Sequence, residues 1–470
     1  MRFVDFPADL LLVFFLELDV EDVLSLKQSC RVLYYTIGSL DYLWHNLTRR
    51  CNLPLDIPPG IDSSALSGQE LQAIVVKALK LDYDWRKPDT RIQRAVPIIR
   101  SDDSFIGDMH LLPGGKWLVT AQLTVSLVER RTDLTLWCLD DITSPRAIQV
   151  VPIHGEVRSC RAYYQPAQHK FTIAAALAKD GSESIEVYHI FLENPAVVSM
   201  RSESLMFLGN IDAFRIFEDM LGATFLKDAP DTTQTIYVYL RNLVTGAAVT
   251  FGPYQGGYEG YEKSHFELFR DQYALARHDF YSHTVSFYDI PPYIISANSE
   301  PPANPDPDHI SKGLLSARCS LSHDESIHPI AWSGSVEHGI PIFNTMTFMW
   351  LLYTGIIERF SPPNHGTRFS GPPTIVIHTF PQAQMLDRVQ FGATGRRAVW
   401  IDRGDAPVLR KWSAARYCRG EKLSAGVSVL MPLVSGLPFD PKDIRLIAFD
   451  EATCRLCVSL PSGKVFVCDL

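Results

Sequence analysis

The sequence predicts a multidomain α+β chain: a small helical unit over residues 1–50, a helical connector over 51–95 and a large all-β domain over 96–470. Three observations predict it. Apolar residues recur at spacings of three and four through the first fifty positions, and a capping signature opens a further helix at Ser67. From about Val96 onward the texture changes to short β-branched and aromatic runs parted by turn signals. With 470 residues, 46% apolar and 21% charged, the chain is long enough for one small and one large core.

Three helices are expected in the first unit. Pro7 suits a first helical turn, where its missing N–H has no partner in any case, and Asp9 stands where the positive end of the helix dipole favours a carboxylate. Leu10, Leu11, Phe14, Phe15 and Leu18 then form a wide apolar stripe. Asp19 and Asp22 frame a second start, with Val23, Leu26, Cys30 and Leu33 continuing the period. Tyr42, Leu43, Trp44 and Leu47 fall on a third helix. Fifty residues bury too small a share of their surface to support so many large apolar groups alone, so part of the stripe needs a partner.

In order and residue type the segment Phe6-Pro7-Ala8-Asp9-Leu10-Leu11, Phe14-Phe15-Leu16, Asp22-Val23-Leu24-Ser25-Leu26, Ser29-Cys30-Arg31 and Leu43-Trp44 resembles the F-box. It departs from the family pattern in having Phe6 for the leading leucine and Asp9 for the glutamate. Leu33 and Tyr34 stand where an aromatic commonly follows the Cys-Arg pair. The resemblance implies docking onto a Skp-family adaptor and, through it, a cullin-based (SCF-type) ubiquitin ligase. It implies adaptor contact, or support of the box, for Phe6, Pro7, Leu10, Leu11, Phe14, Phe15, Leu18, Leu24, Leu26, Cys30, Leu43 and Trp44.

The connector begins with a proline-bearing loop, Asn52 to Gly60, after which Ser67-Gly68-Gln69-Glu70 reads as a capping box. Leu71, Ile74, Val75, Ala78 and Leu79 line one face of the helix that follows, which should reach about Asp84 and stop before Pro88. F-box proteins of the fungal kind often end such a helix near an Asp-x-x-Trp element. Asp82-Tyr83-Asp84-Trp85 is the candidate here, expected to fix the angle between box and body.

The β region repeats. Gly114 to Thr120, Thr124 to Val128 and Leu134 to Cys138 read as a turn and three strands. Weaker copies start at Phe171, Met220, Gln272, Arg397 and Leu446, the last closing on Gly463 to Asp469. Recurrence roughly every fifty residues argues for radial four-stranded blades, a β-propeller of about seven, with Val96 to Arg100 completing the last one. The pattern is similar to a degenerate WD-repeat propeller, without the Gly-His and Trp-Asp dipeptides. The proline-rich stretches Asn298 to His309 and Ser361 to Pro373 read as rim loops.

Chemistry is sparse. No G-x-S-x-G elbow, H-E-x-x-H pair or Walker loop occurs, and Gly256-Gly257-Tyr258-Glu259-Gly260 has the wrong spacing for a dinucleotide fingerprint. No catalytic residue, cofactor or metal ligand is expected. His323, Asp324, Glu325 and His328 read as a solvated turn, and Cys454 and Cys457 as thiols three apart on one strand, pointing to opposite sides. Nine dispersed cysteines suit reduced thiols in the cytoplasm or nucleus. The balance of 44 basic to 53 acidic residues, net −9 without long runs, offers no nucleic-acid stripe. Acids at Asp5 and Asp9 exclude a secretory leader around Leu10 to Leu16. His338 to Ile357 lacks formal charge, but Pro341, Asn344 and Gly355 and the alternation of Met346, Phe348, Trp350 and Leu352 read as strand, not membrane span.

The expected function is recognition: a non-catalytic substrate receptor whose propeller holds an unidentified protein target. A propeller enzyme or small-ligand binder with a helical appendage, and a scaffold that does not direct degradation, are the rivals.

Overall fold

Four short helices, not three, form the amino-terminal unit: α1 (Ala8–Leu16), α2 (Val20–Ser29), α3 (Arg31–Ser39) and α4 (Asp41–Arg50). The expected second helix is divided at Cys30, whose extended backbone (φ −157°, ψ 160°) ends α2 and starts α3. That break turns the chain so that Leu33 and Ile37 enter the same core as Val20 and Val23. α5 (Gly68–Arg86) follows, opened by the expected capping box, in which the Ser67 hydroxyl accepts from the Glu70 N–H and Glu70 accepts from the Ser67 N–H. Leu71, Val75 and Ala78 are its buried face, with Ile74 and Leu79 half-buried beside them.

These positions come from a computed structural model. It describes the chain outside residues 1–2, 52, 58–60, 100–103, 126–129, 180–181, 195–196, 208, 229–233, 256–264, 279–281, 296–309, 312–313, 323–328, 336–344, 352–353, 361–373, 382–385, 405, 419–420 and 435, and for strands between 310 and 381 it describes the backbone only.

The β domain opens with β1 (Arg94–Ile99). The first sheet is β2 (Phe105–Leu111), β3 (Trp117–Val125), β4 (Arg130–Cys138) and β5 (Arg146–His154); the second is β6 (Glu156–Gln165), β7 (Lys170–Lys179), β8 (Ser182–Asn194) and β9 (Val197–Phe207). The third holds β10 (Asn210–Phe217), β11 (Met220–Asp228), β12 (Gln234–Asn242) and β13 (Ala248–Gln255). The fourth has β14 (His265–Leu268), β15 (Gln272–His278) and β16 (Ser282–Asp289); the short β17 (Ile310–Ser311) then returns in parallel to β13, and β18 (Leu314–Ser322) completes the fourth sheet. A fifth comprises β19 (Pro329–Ser335), β20 (Thr345–Leu351), β21 (Thr354–Phe360) and β22 (Thr374–Pro381). The sixth has β23 (Leu386–Phe391), β24 (Arg397–Asp402) and β25 (Val408–Ser413), then a ribbon of β26 (Arg416–Cys418) and β27 (Glu421–Leu423), then β28 (Gly426–Val429). The last has β29 (Leu446–Asp450), β30 (Arg455–Ser459) and β31 (Val465–Asp469), with β1 added as its outer strand.

First strands adjoin around a circle, β2 to β6, β6 to β10, β10 to β14, β19 to β23, β23 to β29 and β29 back to β2, which makes the domain a β-propeller. β1 closes it, pairing antiparallel to β31 with Val96 opposite Val467, the role expected of Val96 to Arg100. Where the spacing predicts about seven blades, six sheets have the regular four-stranded form; the departure is the third, which β17 widens to five strands. Second strands such as Trp117 to Ala121 and all of Arg397–Asp402 are buried throughout, as strands packed on both faces must be.

Three local expectations are corrected. Thr124 and Val125 extend β3 instead of starting another strand, because the cross-strand pairing to β4 runs unbroken from Trp117 to Val125. Leu446 to Asp450 is the first strand of its sheet, so Arg455–Ser459 is the true counterpart of Arg397–Asp402. Cys454 lies in the turn before β30, with a left-handed φ of 58°, and only Cys457 is on the strand. The Thr345–Leu351 and Thr354–Phe360 segments pair as an antiparallel hairpin, and among the described residues no helix is long and apolar enough to cross a membrane. The Gly256 to Gly260 loop, the His323 to His328 cluster and both proline-rich stretches lie outside the described residues.

Candidate functional site

α1 is apolar around most of its circumference, and its own chain covers one side of it. Leu11 and Phe15, four apart, are 4% and 0% exposed and join Val20, Val23, Leu33, Ile37, Leu43, Trp44 and Leu47 in a core shared with Leu71 and Val75 of α5. The Trp44 indole N–H donates to the Ile37 carbonyl at 3.0 Å, which fixes the ring inside. The opposite side carries Leu10, Val13 and Phe14, 56%, 60% and 44% exposed. Phe3 and Phe6, from the single turn before α1, extend it; the Phe3 ring meets Phe14 edge to face at 5.0 Å and Phe6 at 6.2 Å.

The twelve residues singled out in the sequence therefore divide. Leu11, Phe15, Leu43 and Trp44 hold the helical unit together from within. Leu18, Leu24 and Leu26 are half-buried against the same core. Phe6, Pro7, Leu10, Phe14 and Cys30 are exposed, and Pro7 stands just before the first helical residue instead of inside the turn. Sequence reasoning missed Phe3, Val13, Val32 and Tyr35, all exposed. Val13 carried a signal, being three residues from Leu10 on one face. On α3, Tyr34 lies under the Lys27 ammonium (4.7 Å) and Tyr35 under the Arg31 guanidinium (5.7 Å). Phe3, Phe6, Leu10, Val13 and Phe14 together are a run of exposed large apolar groups at one end of the helical unit.

The end of α5 seats this unit on the propeller. Trp85 is 2% exposed, stacks on Phe449 of β29 at 5.4 Å, and donates its N–H to the Trp412 carbonyl of β25 at 3.0 Å. Asp82 is buried and accepts from Arg86 (2.8 Å), Arg416 (2.7 Å) and Arg397 (3.4 Å). Tyr83 and Asp84, the middle of the expected element, point outward or stay half-exposed.

Lys411 caps the end of α5, donating to the Trp85 and Lys87 carbonyls and to the Thr90 hydroxyl. Burial pushes its pKa down to about 8, against weaker opposing pulls from Cys454 and Asp89. Since the unfolded lysine holds its proton to about 10.5, the unfolded chain binds more protons between those values and wild-type stability gains with pH there. Lys411→Met should lose that gain, so denaturant titrations of the two proteins at pH 8 and 10 should diverge.

On four of the inner strands, β2, β6, β10 and β14, acids and bases pair from sheet to sheet. Asp108 of β2 accepts from Ser159 (3.1 Å), the Cys160 N–H (2.8 Å) and Arg161 (3.1 Å) of β6; Arg215 of β10 pairs with Glu267 of β14 at 3.1 Å. Burial, with Arg161 and Arg215 adding, drives His110 down to about 3, and its Nδ1 accepts the Ala162 N–H at 2.9 Å. Such groups are spent on joining sheets. Among the described residues no three His, Cys, Asp or Glu side chains gather as a metal site would require.

No family model matches the sequence, and no curated protein matches it. A chain in the crystal structure of the mitotic checkpoint complex is similar over 82% of this chain and 96% of its own length, at 11% identity and a TM-score of 0.42. The WD40 domain of SCAP from fission yeast is similar over 80% of this chain and 94% of its own, at 8% identity and a TM-score of 0.41. The strand pairing, not these likenesses, establishes the propeller.

Proposed function

We propose that the chain is the substrate-recognition subunit of an SCF-type ubiquitin ligase, docking a Skp-family adaptor through α1 and its neighbours and a protein target through the propeller. The observation that carries the reading is the exposed face of Phe3, Phe6, Leu10, Val13 and Phe14 on a helix whose other side is already filled. Each such side chain that becomes buried contributes roughly 1.5–3 kcal/mol, so a handful favours association even after ordering costs. The chain is non-catalytic in this reading. Its work is to hold a target near the ubiquitin-carrying enzyme and so raise the effective concentration of the target's lysines. The matched acids and bases of the inner strands favour this over a propeller enzyme, whose site would need carboxylates or imidazoles free to move protons.

Co-expression with a Skp-family adaptor tests it. Leu10→Asp/Phe14→Asp should stay folded and lose the complex by more than about tenfold, since both side chains face outward. Leu11→Asp is a poor test, because it places a charge in the core of the helical unit. Equal recovery of the double variant and the wild type, by pull-down at matched expression, would end the adaptor hypothesis.

A further inference from the structure

The sixth sheet is complete without the ribbon β26–β27: β25 pairs directly with β28 on either side of the excursion, from Arg410 opposite Val429 to Ser413 opposite Gly426. What the ribbon adds is Arg416 at its base, whose side chain is 9% exposed. Its Nη1 donates to Glu21 of α2 at 2.5 Å and its Nε to Asp82 of α5 at 2.7 Å. One guanidinium thus bonds both α2 of the amino-terminal unit and the connector helix α5 from a strand of the propeller.

Two other contacts complete a frame. The first half of α5 is fused to α1–α4 through Leu71 and Val75, the Gly68 N–H to Asp41 (2.8 Å) and Lys27 to Gln72 (2.7 Å). Its last turn is fused to the propeller through Trp85, Arg86 and Lys411. Besides these two joints, the connector meets the body where Asp56 lies beside Gly114. The bond from the body straight to α2 adds a support on a separate helix.

We propose that the β26–β27 ribbon is a strut, with the Arg416–Glu21 pair as its outer joint, that fixes the attitude of the docking helices to the propeller. Asp82 is the inner joint and belongs to the permanent anchor. A buried ion pair is weak evidence for stability, and in this proposal the pair serves the choice of one geometry. The strut acts on orientation whatever partner the helices take, so it stands or falls apart from the adaptor reading.

The full chain carries the test. Glu21→Gln removes the outer joint and leaves Arg416 on Asp82; Glu218→Gln removes the same charge from the exposed Arg270 pair and serves as control. Glu21→Gln should leave the thermal midpoint of the β domain at the control's value. It should broaden the long-distance tail of the small-angle scattering pair distribution and raise protease cleavage within residues 51–66 at least about fivefold. Arg416→Gln should show the same release together with a lowered midpoint, since Asp82 then loses a partner. Scattering and cleavage of Glu21→Gln indistinguishable from Glu218→Gln would overturn the proposal.

Discussion

Asp82→Ala is expected to destabilise the protein by about 3–5 kcal/mol, the usual consequence of removing one partner from a buried charge cluster. The carboxylate is 3% exposed, and its partners Arg397 and Arg416 are 1% and 9% exposed. Removing it strands the Arg397 guanidinium out of reach of water and leaves Arg416 on Glu21 alone. Arg397 would keep only the Glu451 carbonyl and the Cys454 sulfur, both neutral, as acceptors for Nη1. Urea unfolding followed by tryptophan fluorescence reads the loss directly, because Trp85 and Trp412 flank the cluster. The pH dependence separates charge from packing. Burial alone would raise the Asp82 carboxyl, but Arg86, Arg397 and Arg416 outweigh it and hold the pKa below the ordinary 3.8. A carboxyl depressed on folding contributes its full stability above the unfolded value and loses it as pH falls through the folded one. The gap between wild type and Asp82→Asn should therefore be constant from pH 5 to 7 and shrink below 3.8. A gap that persists unchanged in acid would show that the carboxylate acts by shape alone.

The helix that carries Asp82 and Trp85 was legible from local signals, a capping box, an apolar period and a following proline, while the two residues themselves stood out through the Asp-x-x-Trp element of the family resemblance. What they touch was not legible. Arg397 and Arg416 lie more than 300 positions away, and nothing in the spacing of either marks a partner on a helix near residue 82. The same limit governs the exposed face of α1. Periodicity gave the stripe of Leu10, Leu11, Phe14 and Phe15 but not its division, since a helix apolar all round has no inward side until Trp44 and Leu33 supply one. The extra helix boundary at Cys30 escaped because apolar positions on both sides continue one period while the backbone between them does not. In the propeller, recurrence located the buried middle strands, whose continuous apolar runs stand out. It misplaced the last copy because β29 is also buried from Ile447 to Asp450 and so resembles a middle strand.

The seam between the sixth and last sheets should be the second point of failure. Glu451, 2% exposed, reaches from the turn after β29 into the turn before β24, where its carboxylate accepts the N–H groups of Thr394 (2.6 Å), Arg396 (2.8 Å) and Arg397 (2.9 Å) and the Thr394 hydroxyl (2.8 Å). Glycine stands at 392 because a Cβ there would lie 2.1 Å from the Glu451 Cβ, a separation no packing adjustment relieves without moving backbone. Glu451→Ala orphans several donors at once, each costing about 1–3 kcal/mol when unsatisfied, and a loss of at least about 3 kcal/mol is expected. Gly392→Ala should cost a comparable amount by pushing the same turn off its acceptor. Alanine at 451 keeps the Cβ that a residue at 392 meets, so only the part of the Gly392→Ala cost that comes from moving the turn off the carboxylate is shared, and the double variant should lose somewhat less than the sum of the singles. Additive losses in denaturant titrations would mean that glycine and glutamate serve separate ends and that the sheets are held together elsewhere. Because α5 rests on Phe449 and Trp412, one from each side of this seam, opening it should also release the helix. Hydrogen exchange at the amides of residues 78–86 should then quicken in Glu451→Ala, tying the seating of the amino-terminal helices to the integrity of a joint between blades.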